Sequence, residues 1–258
     1  MLKELRARWQ QGYRTMRFPG GPPPELPQRF VGRPEINSSK CTADCNACVD
    51  ACPTQAINFD RGQRKLHLDM GRCIYCRECQ GTCKSGTITF SREFRMATSC
   101  REDLVVSDNA ALPRIEIDNA LQRVLGRSLK LRQVSAGGCN ACEADTNVLN
   151  TVGWDLSRFG IQFVASPRHA DGLLITGPVT ENMRLALEKT YQAVPSPKIV
   201  IAVGACAISG GIFAGHPESH NGAATFLPVD VFVPGCPPNP LTILDALLRI
   251  VGRLGDRG

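Results

Sequence analysis

The sequence predicts an α/β protein with a small cysteine-rich domain followed by a parallel-sheet domain. Eight of the 13 cysteines lie in two four-cysteine blocks, spanning residues 41–52 and 73–83. From about Leu129 onward, short apolar runs alternate with helical patterns, which is typical of a parallel sheet covered on both faces. Four of the remaining cysteines follow predicted strands, at Cys139, Cys142, Cys206 and Cys236.

Composition excludes several classes of protein. The 258 residues are 43% apolar and 21% charged, a balance typical of globular chains. No apolar run approaches the roughly 18 residues that cross a bilayer, and the basic N-terminus lacks the apolar stretch of a secretion signal. We therefore expect neither a transmembrane nor an exported protein. In the resulting reducing compartment, an odd number of cysteines indicates metal ligands or nucleophiles rather than disulfides.

The N-terminal pattern predicts an amphipathic helix over residues 1–20, ending at the Gly/Pro-rich stretch 20–24. Its apolar residues recur every three or four positions, at Leu2, Leu5, Trp9, Tyr13 and Met16. Residues 1–37 carry seven basic and three acidic side chains, most of the chain's net charge of +6. Two interpretations stay open, which are docking on a partner protein and contact with a lipid surface. No nucleic-acid-reading motif accompanies the basic residues.

The two cysteine blocks form an internal duplication. The second block has the C-x2-C-x2-C-x3-C spacing of a bacterial ferredoxin, in which the fourth cysteine binds the other cluster. This predicts two 4Fe–4S clusters, held by Cys41, Cys45, Cys48 and Cys83 (first site) and by Cys73, Cys76, Cys79 and Cys52 (second site). Zinc fits poorly, because zinc sites usually take two C-x2-C pairs separated by a longer loop.

Two departures from the ferredoxin spacing leave the ligand set intact. The first block begins with C-x3-C, and we expect the extra residue to bulge without removing Cys41. Lys84 follows Cys83 where proline is usual. Proline shapes that turn but supplies no ligand, so its loss should matter little.

The second half predicts strands at 129–134, 161–165, 173–176, 199–203 and 229–233. Helices are expected at 180–194, capped by Thr180, and at 240–254, with buried Leu241, Ile243, Leu244, Leu247, Leu248 and Val251. Ligands in open parallel sheets gather at the carboxyl ends of the strands. We therefore predict that Cys139, Cys142, Cys206 and Cys236 converge on one site (third site). Neighbouring glycines would let the backbone approach a bulky cluster. The alternative is four unrelated buried cysteines.

Longer motifs around the first two blocks resemble a known family. LPQRFVGRPEI, LDMGRCIYC and ITFSREFRMATSCREDLV are similar to the two-cluster ferredoxin subunit of complex I and of formate hydrogenlyase. In that family a similar amphipathic N-terminal helix rests on the membrane arm. The resemblance therefore favours docking as the role of residues 1–17.

The second half resembles the small subunit shared by nickel–iron hydrogenases and complex I. The motifs are GGCNACE, GACAISGGIFAG and PVDVFVPGCPPNPLTILDALL. The resemblance implies a flavodoxin-like domain that holds a third 4Fe–4S cluster on Cys139, Cys142, Cys206 and Cys236. Complex I versions begin with two adjacent cysteines, whereas Cys139-x2-Cys142 resembles the membrane-bound, cytoplasm-facing hydrogenases of the formate hydrogenlyase type.

The expected organisation is therefore a fusion of two subunits. Residues 1–37 form the helix and a Pro-rich linker, 38–110 the two-cluster ferredoxin domain, and 125–258 the flavodoxin-like domain. The resemblance implies an electron-transfer subunit with three 4Fe–4S clusters at the cytoplasmic face of the plasma membrane. Its expected partners are a hydrogenase-like large subunit that carries the active-site metal, membrane-arm subunits and other redox subunits.

The chain alone should not turn over. It has no further C-x2-C pairs for a nickel–iron site, and no phosphate loop or G-x-G-x-x-G motif for a flavin or nicotinamide. A quinone-reducing complex I relative, a soluble iron–sulfur redox sensor and a scaffold with empty sites remain as alternatives.

Four residues near these motifs lie outside the ligand sets. Glu143, beside Cys142, is consistent with a proton relay and equally with an ordinary carboxylate at a helix start. Cys100 lies outside every motif, and we expect a buried free thiol. His216 and His220 lie in a Gly/Pro/Asn-rich segment, where we expect a surface or partner-facing loop rather than a metal site.

Overall fold

The computed structural model describes residues 2–42, 45–108, 110–126 and 128–255. Met1, the start of the predicted N-terminal helix, and residue 258, the predicted end of the last domain, lie outside the described residues. The helices are α1 (Leu2–Gln11), α2 (Ala47–Asp50), α3 (Glu78–Thr82), α4 (Asn119–Leu125), α5 (Ala141–Asn147), α6 (Glu181–Ala193), α7 (Ala205–Ser209) and α8 (Pro240–Ile250). The strands are β1 (Pro34–Ile36), β2 (Ile57–Asp60), β3 (Lys65–Asp69), β4 (Ile88–Phe90), β5 (Val105–Val106), β6 (Leu129–Ser135), β7 (Ile161–Phe163), β8 (Gly172–Thr176), β9 (Ile199–Val203) and β10 (Val231–Val233).

The C-terminal half is built on a five-stranded parallel sheet in the order β10-β9-β8-β6-β7. Counted from β6 as the first strand, this is the 2-1-3-4-5 order of flavodoxin-like folds. The central strands β8 and β9 are buried along their whole length. Continuous burial is expected of parallel strands covered by helices on both faces, so the predicted fold class is confirmed.

The predicted strands of this half form, with small differences at their ends. β7 ends at Phe163 and β10 begins at Val231, inside the predicted ranges. Helix α6 begins after Thr180, although the Thr180 side chain makes no capping hydrogen bond. Helix α8 ends at Ile250 rather than 254. The six residues predicted to be buried at α8 are buried.

Two small antiparallel sheets carry the N-terminal half. Strand β1 pairs with β4, and β3 lies between β2 and β5. Helices α2 and α3, of four and five residues, occupy equivalent places in the two cysteine blocks, and each is followed by a strand, β2 or β4. This repeat of a short helix, a turn and a strand agrees with the duplication seen in the sequence.

The two halves meet through hydrogen bonds and a shared apolar cluster. Thr98 exchanges two backbone hydrogen bonds with Phe232 of β10, of 3.1 and 2.8 Å. The N-terminal half therefore covers the exposed edge of the parallel sheet. Met70 and Met96 belong to the same buried cluster as Phe232 and Ile208.

The N-terminal helix is shorter than predicted. It ends at Gln11, and the next residue, Gly12, has a φ of 61° that few other residues adopt. The following chain runs along the parallel-sheet domain, where the Arg158 guanidinium donates 2.7 Å hydrogen bonds to the carbonyls of Met16 and Phe18. Met16 therefore packs against the core instead of extending an apolar helix face.

Helix α1 leaves its apolar residues in solvent. No residue of α1 is buried. The side chains of Leu2, Leu5, Trp9 and Tyr13, which follow one another along the chain at helical spacing, are 63 to 86% exposed. Among the described helices, none is both long and apolar enough to span a bilayer.

Candidate metal centres

The four cysteines of the first site approach one another although they come from both blocks. Burial, followed by the nearby Cys83, Cys41 and Cys45 thiols, raises the pKa of Cys48 to about 11. Burial and the Cys45 and Cys83 thiols likewise raise the pKa of Cys41. The fourth cysteine of the second block thus lies near the first three cysteines of the first block.

The second set of thiols encloses a small cavity. All four, Cys52, Cys73, Cys76 and Cys79, line it together with apolar side chains such as Leu68 and Phe90. Burial first, and then the neighbouring thiols, raise the pKa values of Cys73 and Cys79 to about 12. The Cys48 thiol of the first set also acts on Cys79, so the two sets are adjacent.

The third set lies at the carboxyl ends of three parallel strands. Cys139 and Cys142 follow β6, Cys206 follows β9 in α7, and Cys236 follows β10. Burial, Glu143 and then the other three thiols of the set raise the pKa of Cys142. Burial, followed by the Cys236 and Cys139 thiols and Glu143, raises the pKa of Cys206 to about 11. The structure therefore brings these four cysteines together at one edge of the sheet.

Glycines shape the third set, as the sequence suggests. Gly204 has a φ of 91°, and a Cβ there would lie 2.5 Å from the Cys142 Sγ atom. A Cβ on Gly211 would lie 2.9 Å from the Cys206 Sγ atom. A side chain at either position would overlap a predicted ligand, so both places require glycine.

Backbone hydrogen bonds to three thiols were not predicted, one of them from the Tyr75 N–H to the Cys73 Sγ atom at 3.3 Å. The backbone N–H of Ala56 donates to the Cys52 Sγ atom at 3.2 Å, and that of Thr87 donates to Cys83 at 3.3 Å. The Ser85 hydroxyl lies 3.4 Å from the Cys83 sulfur. The signal available in the sequence is the hydroxyl residue two positions after the last cysteine of each block, Thr54 and Ser85.

These bonds change the chemistry of Cys83. Partial burial acts to raise its pKa, but hydrogen bonds from Ser85 and Thr87 outweigh burial and lower the pKa to about 7. Thiolates, not thiols, bind metal, so binding at cysteines whose pKa is raised, such as Cys48 and Cys73, would release protons.

The three sets are not closed around single ions in the described part of the chain. Among the described residues, no three His, Cys, Asp or Glu side chains come close enough to surround one metal ion. An iron–sulfur cube instead takes four thiolates on separate corners and needs space between them. At the second site all four cysteines line one cavity.

A cavity of about 240 Å³ lies between the second and third sets. Ile74 and Tyr75, which follow Cys73, form one side of it. Cys236 and the two prolines after it form another. The Tyr75 hydroxyl donates to the Met96 sulfur at 3.5 Å.

Glu143 is buried rather than placed on an open helix end. It lies in the first turn of α5 and accepts a 2.5 Å hydrogen bond from the Thr176 hydroxyl. The carboxylate is therefore fixed beside Cys142.

The prediction of a buried Cys100 is wrong. Its thiol is exposed and donates a 3.0 Å hydrogen bond to the Glu102 carboxylate, because the segment around it turns outward after Thr98 has paired with β10. His216 is exposed in a surface loop, as expected. His220 pairs with Glu181 and packs edge-on against Phe226.

Comparison with known families finds two matches in this one chain. The family described as NADH ubiquinone oxidoreductase, 20 Kd subunit, matches residues 139–250. A 4Fe–4S dicluster domain matches residues 32–87. The two matched segments cover the three cysteine sets.

Individual relatives match the second half. A probable membrane-bound hydrogenase subunit of Pyrococcus furiosus is 41% identical over 150 residues, covering 58% of this chain and 90% of the relative. Formate hydrogenlyase subunit 7 of Escherichia coli is 43% identical over 138 residues, and the match covers 54% of each protein. One subunit of the NADH-quinone oxidoreductase of Clostridium beijerinckii is 43% identical over 114 residues, 44% of this chain and 68% of the relative.

Proposed function

This chain belongs to the family of the NADH ubiquinone oxidoreductase 20 kDa subunit, and we propose that it relays electrons within a nickel–iron hydrogenase complex of the formate hydrogenlyase type. It is an iron–sulfur subunit of an oxidoreductase complex. The observation that supports the electron-relay proposal is the grouping of twelve cysteines into three sets of four. We infer that each set holds one 4Fe–4S cluster, giving three.

The positions of the sets support a single line of electron relay. When bound, each cluster accepts and releases one electron. Cys48 and Cys79 lie at the contact between the first and second sets. Ile74, Tyr75 and Cys236 enclose one cavity between the second and third sets. We infer an order from the first set to the third, ending at the exposed Cys139, where a partner subunit would exchange electrons.

Metal and sulfide analysis tests the three sites. Protein isolated without oxygen should contain about 12 irons and about 12 acid-labile sulfides per chain, three clusters of four each. Cys206→Ala should lose about a third of both. Cys100→Ala is the matched control, because this exposed cysteine lies outside the three sets, and it should lose none. A preparation that contained zinc and no sulfide would refute the proposal.

The large partner separates the hydrogenase from its alternatives. We expect the largest polypeptide that copurifies after gentle membrane solubilisation to contain nickel. A nickel-free partner with quinone reductase activity would identify the complex I-like alternative instead. A chain that stays alone and soluble would identify the redox sensor.

Helix α1 is proposed to dock the chain on the membrane arm at the cytoplasmic face of the plasma membrane. Its exposed apolar stripe is flanked by Arg6 and Arg8, an arrangement that suits a membrane surface or an apolar protein groove. Replacing Leu5 and Trp9 by Glu should move the protein from the membrane fraction to the soluble fraction. Gln10→Glu, on another face of the same helix, is the control and should leave the distribution unchanged.

Glu143 is proposed to carry protons next to the third set. Its burial and its single hydroxyl partner Thr176 hold the carboxylate in one place. Glu143→Gln should lower hydrogen evolution by the complex while its iron content stays unchanged, and Glu143→Asp should restore part of the rate. Equal rates in all three proteins would leave Glu143 as a structural residue.

A further inference from the structure

The last cysteine of each ferredoxin block sits in a turn of the same design. In both, the fourth residue after the cysteine donates its backbone N–H to the sulfur, Ala56 to Cys52 and Thr87 to Cys83. The third residue has a positive φ, 51° at Gln55 and 65° at Gly86. The backbone therefore presents the two thiols in equivalent surroundings.

The side chains of the two turns differ. The Ser85 hydroxyl lies 3.4 Å from the Cys83 sulfur, whereas the Thr54 hydroxyl lies 3.8 Å from the Cys52 sulfur. The Ser85 hydroxyl is also 2.9 Å from the hydroxyl of Thr87, which holds it in position. In the other turn, Ala56 stands at the place of Thr87 and has no hydroxyl.

The next residue adds a charge difference. Cys83 is followed by an exposed lysine, Lys84, and Cys52 by a proline, Pro53. Reduction adds one electron to a cluster and its sulfur ligands, with no bond made or broken. A closer hydroxyl donor and a nearby positive charge both stabilise that added negative charge, and hydrogen bonds to the sulfurs are a main determinant of cluster potential.

We propose that the Cys83 turn, through Ser85 and Thr87, stabilises the reduced state of the first site more than the Cys52 turn stabilises that of the second site. Ser85 would thus act through the Cys83 sulfur to raise the reduction potential of the first site. The inference rests on the proposed function, because it requires that both sets hold clusters. Taken alone, this difference between the turns favours an electron at the first site, while the Tyr75 N–H that donates to the Cys73 Sγ atom at 3.3 Å acts in the opposite direction at the second site.

Ser85 is well suited to a test because its side chain is exposed, so its loss should not disturb folding. One hydrogen bond of ordinary strength changes the ratio of electron occupancy between the two sites by about threefold to tenfold, or about 30 to 60 mV for a one-electron couple. Ser85→Ala should lower one cluster midpoint by that amount. Thr87→Val keeps the backbone donor and should lower the same midpoint by less.

The experiment is a redox titration of the full, iron-loaded chain followed by electron paramagnetic resonance. Thr54→Ala is the matched control in the other turn and should give a smaller shift or none, in a different signal. The inference is overturned if Ser85→Ala moves no midpoint, moves the same signal as Thr54→Ala, or moves its signal by no more than Thr54→Ala does. Iron and sulfide in each variant are measured first. Intact clusters with unmoved midpoints refute this inference and leave the proposed function standing, whereas clusters missing from the unmodified chain refute both.

Discussion

Replacing Gly204 by alanine should empty the third site while leaving the first two filled. A Cβ at this position would lie 2.5 Å from the Cys142 Sγ atom, well inside the about 3.5–4.0 Å at which such atoms pack. Its φ of 91° adds about 1–2 kcal/mol for a residue with a Cβ, and overpacking adds about 1–3 kcal/mol. The total of about 2–5 kcal/mol is smaller than the stability of most domains, so the chain should still fold.

The assay is the iron and acid-labile sulfide content of protein purified without oxygen. The unmodified chain should hold about 12 irons and Gly204→Ala about eight, because only one cluster of four depends on Cys142. Gly153→Ala is the matched control. No heavy atom lies within 4 Å of its added Cβ and its φ is not in the left-handed region, so about 12 irons should remain.

Two results would refute this reasoning. Gly204→Ala protein with about 12 irons and unchanged cluster spectra would show that Cys142 is free to move away from the added methyl group. A folded variant without any iron would show that the disturbance is not confined to the third set.

Three other changes probe the scaffold. Arg158→Ala removes two charged hydrogen bonds to the segment after α1, together worth about 1.5–3 kcal/mol, so trypsin should cut that segment faster while the core stays intact. Asp69→Ala breaks a bidentate pair with Arg101 and frees the loop before Cys73, so iron bound at the second site should be lost faster to a chelator. Burial raises the pKa of Asp145, so folding loses stability as the pH rises past the ordinary carboxyl pKa. Asp145→Asn should therefore raise Tm at pH 7, and the gain should disappear below the ordinary carboxyl pKa, where the unmodified Asp145 is protonated in both states.

Cysteine spacing predicts the grouping of the sites because a ligand loop is short and local. Three thiols within seven or eight residues have few ways to face one centre, and only the fourth must come from elsewhere. The third set is harder to predict, since Cys139 and Cys236 lie almost 100 residues apart. It becomes predictable because parallel strands end at one edge of their sheet, which fixes where Cys206 and Cys236 must lie.

The two wrong sequence-based predictions, the length of the N-terminal helix and the burial of Cys100, arise where tertiary contacts override a local pattern. The apolar residues continue at a spacing of three and four positions through Met16. However, Gly12 and the hydrogen bonds from Arg158 direct the segment after α1 onto the parallel-sheet domain. Cys100 has apolar character, yet it follows Thr98, whose pairing with β10 fixes the direction of the next residues. Neither contact has a signature within the residues concerned.

The junction between the two halves is what sets the distance between the second and third sites. Gly71, two residues before Cys73, accepts a 2.9 Å hydrogen bond from the Ser209 hydroxyl, three residues after Cys206. A Cβ on Gly71 would lie 2.8 Å from the Ile208 side chain, so the absence of a side chain allows this close approach. Two ligand loops from different halves of the chain thus touch directly. Because the two loops touch directly, two separate subunits with the same surfaces would place these two cysteine sets at the same distance.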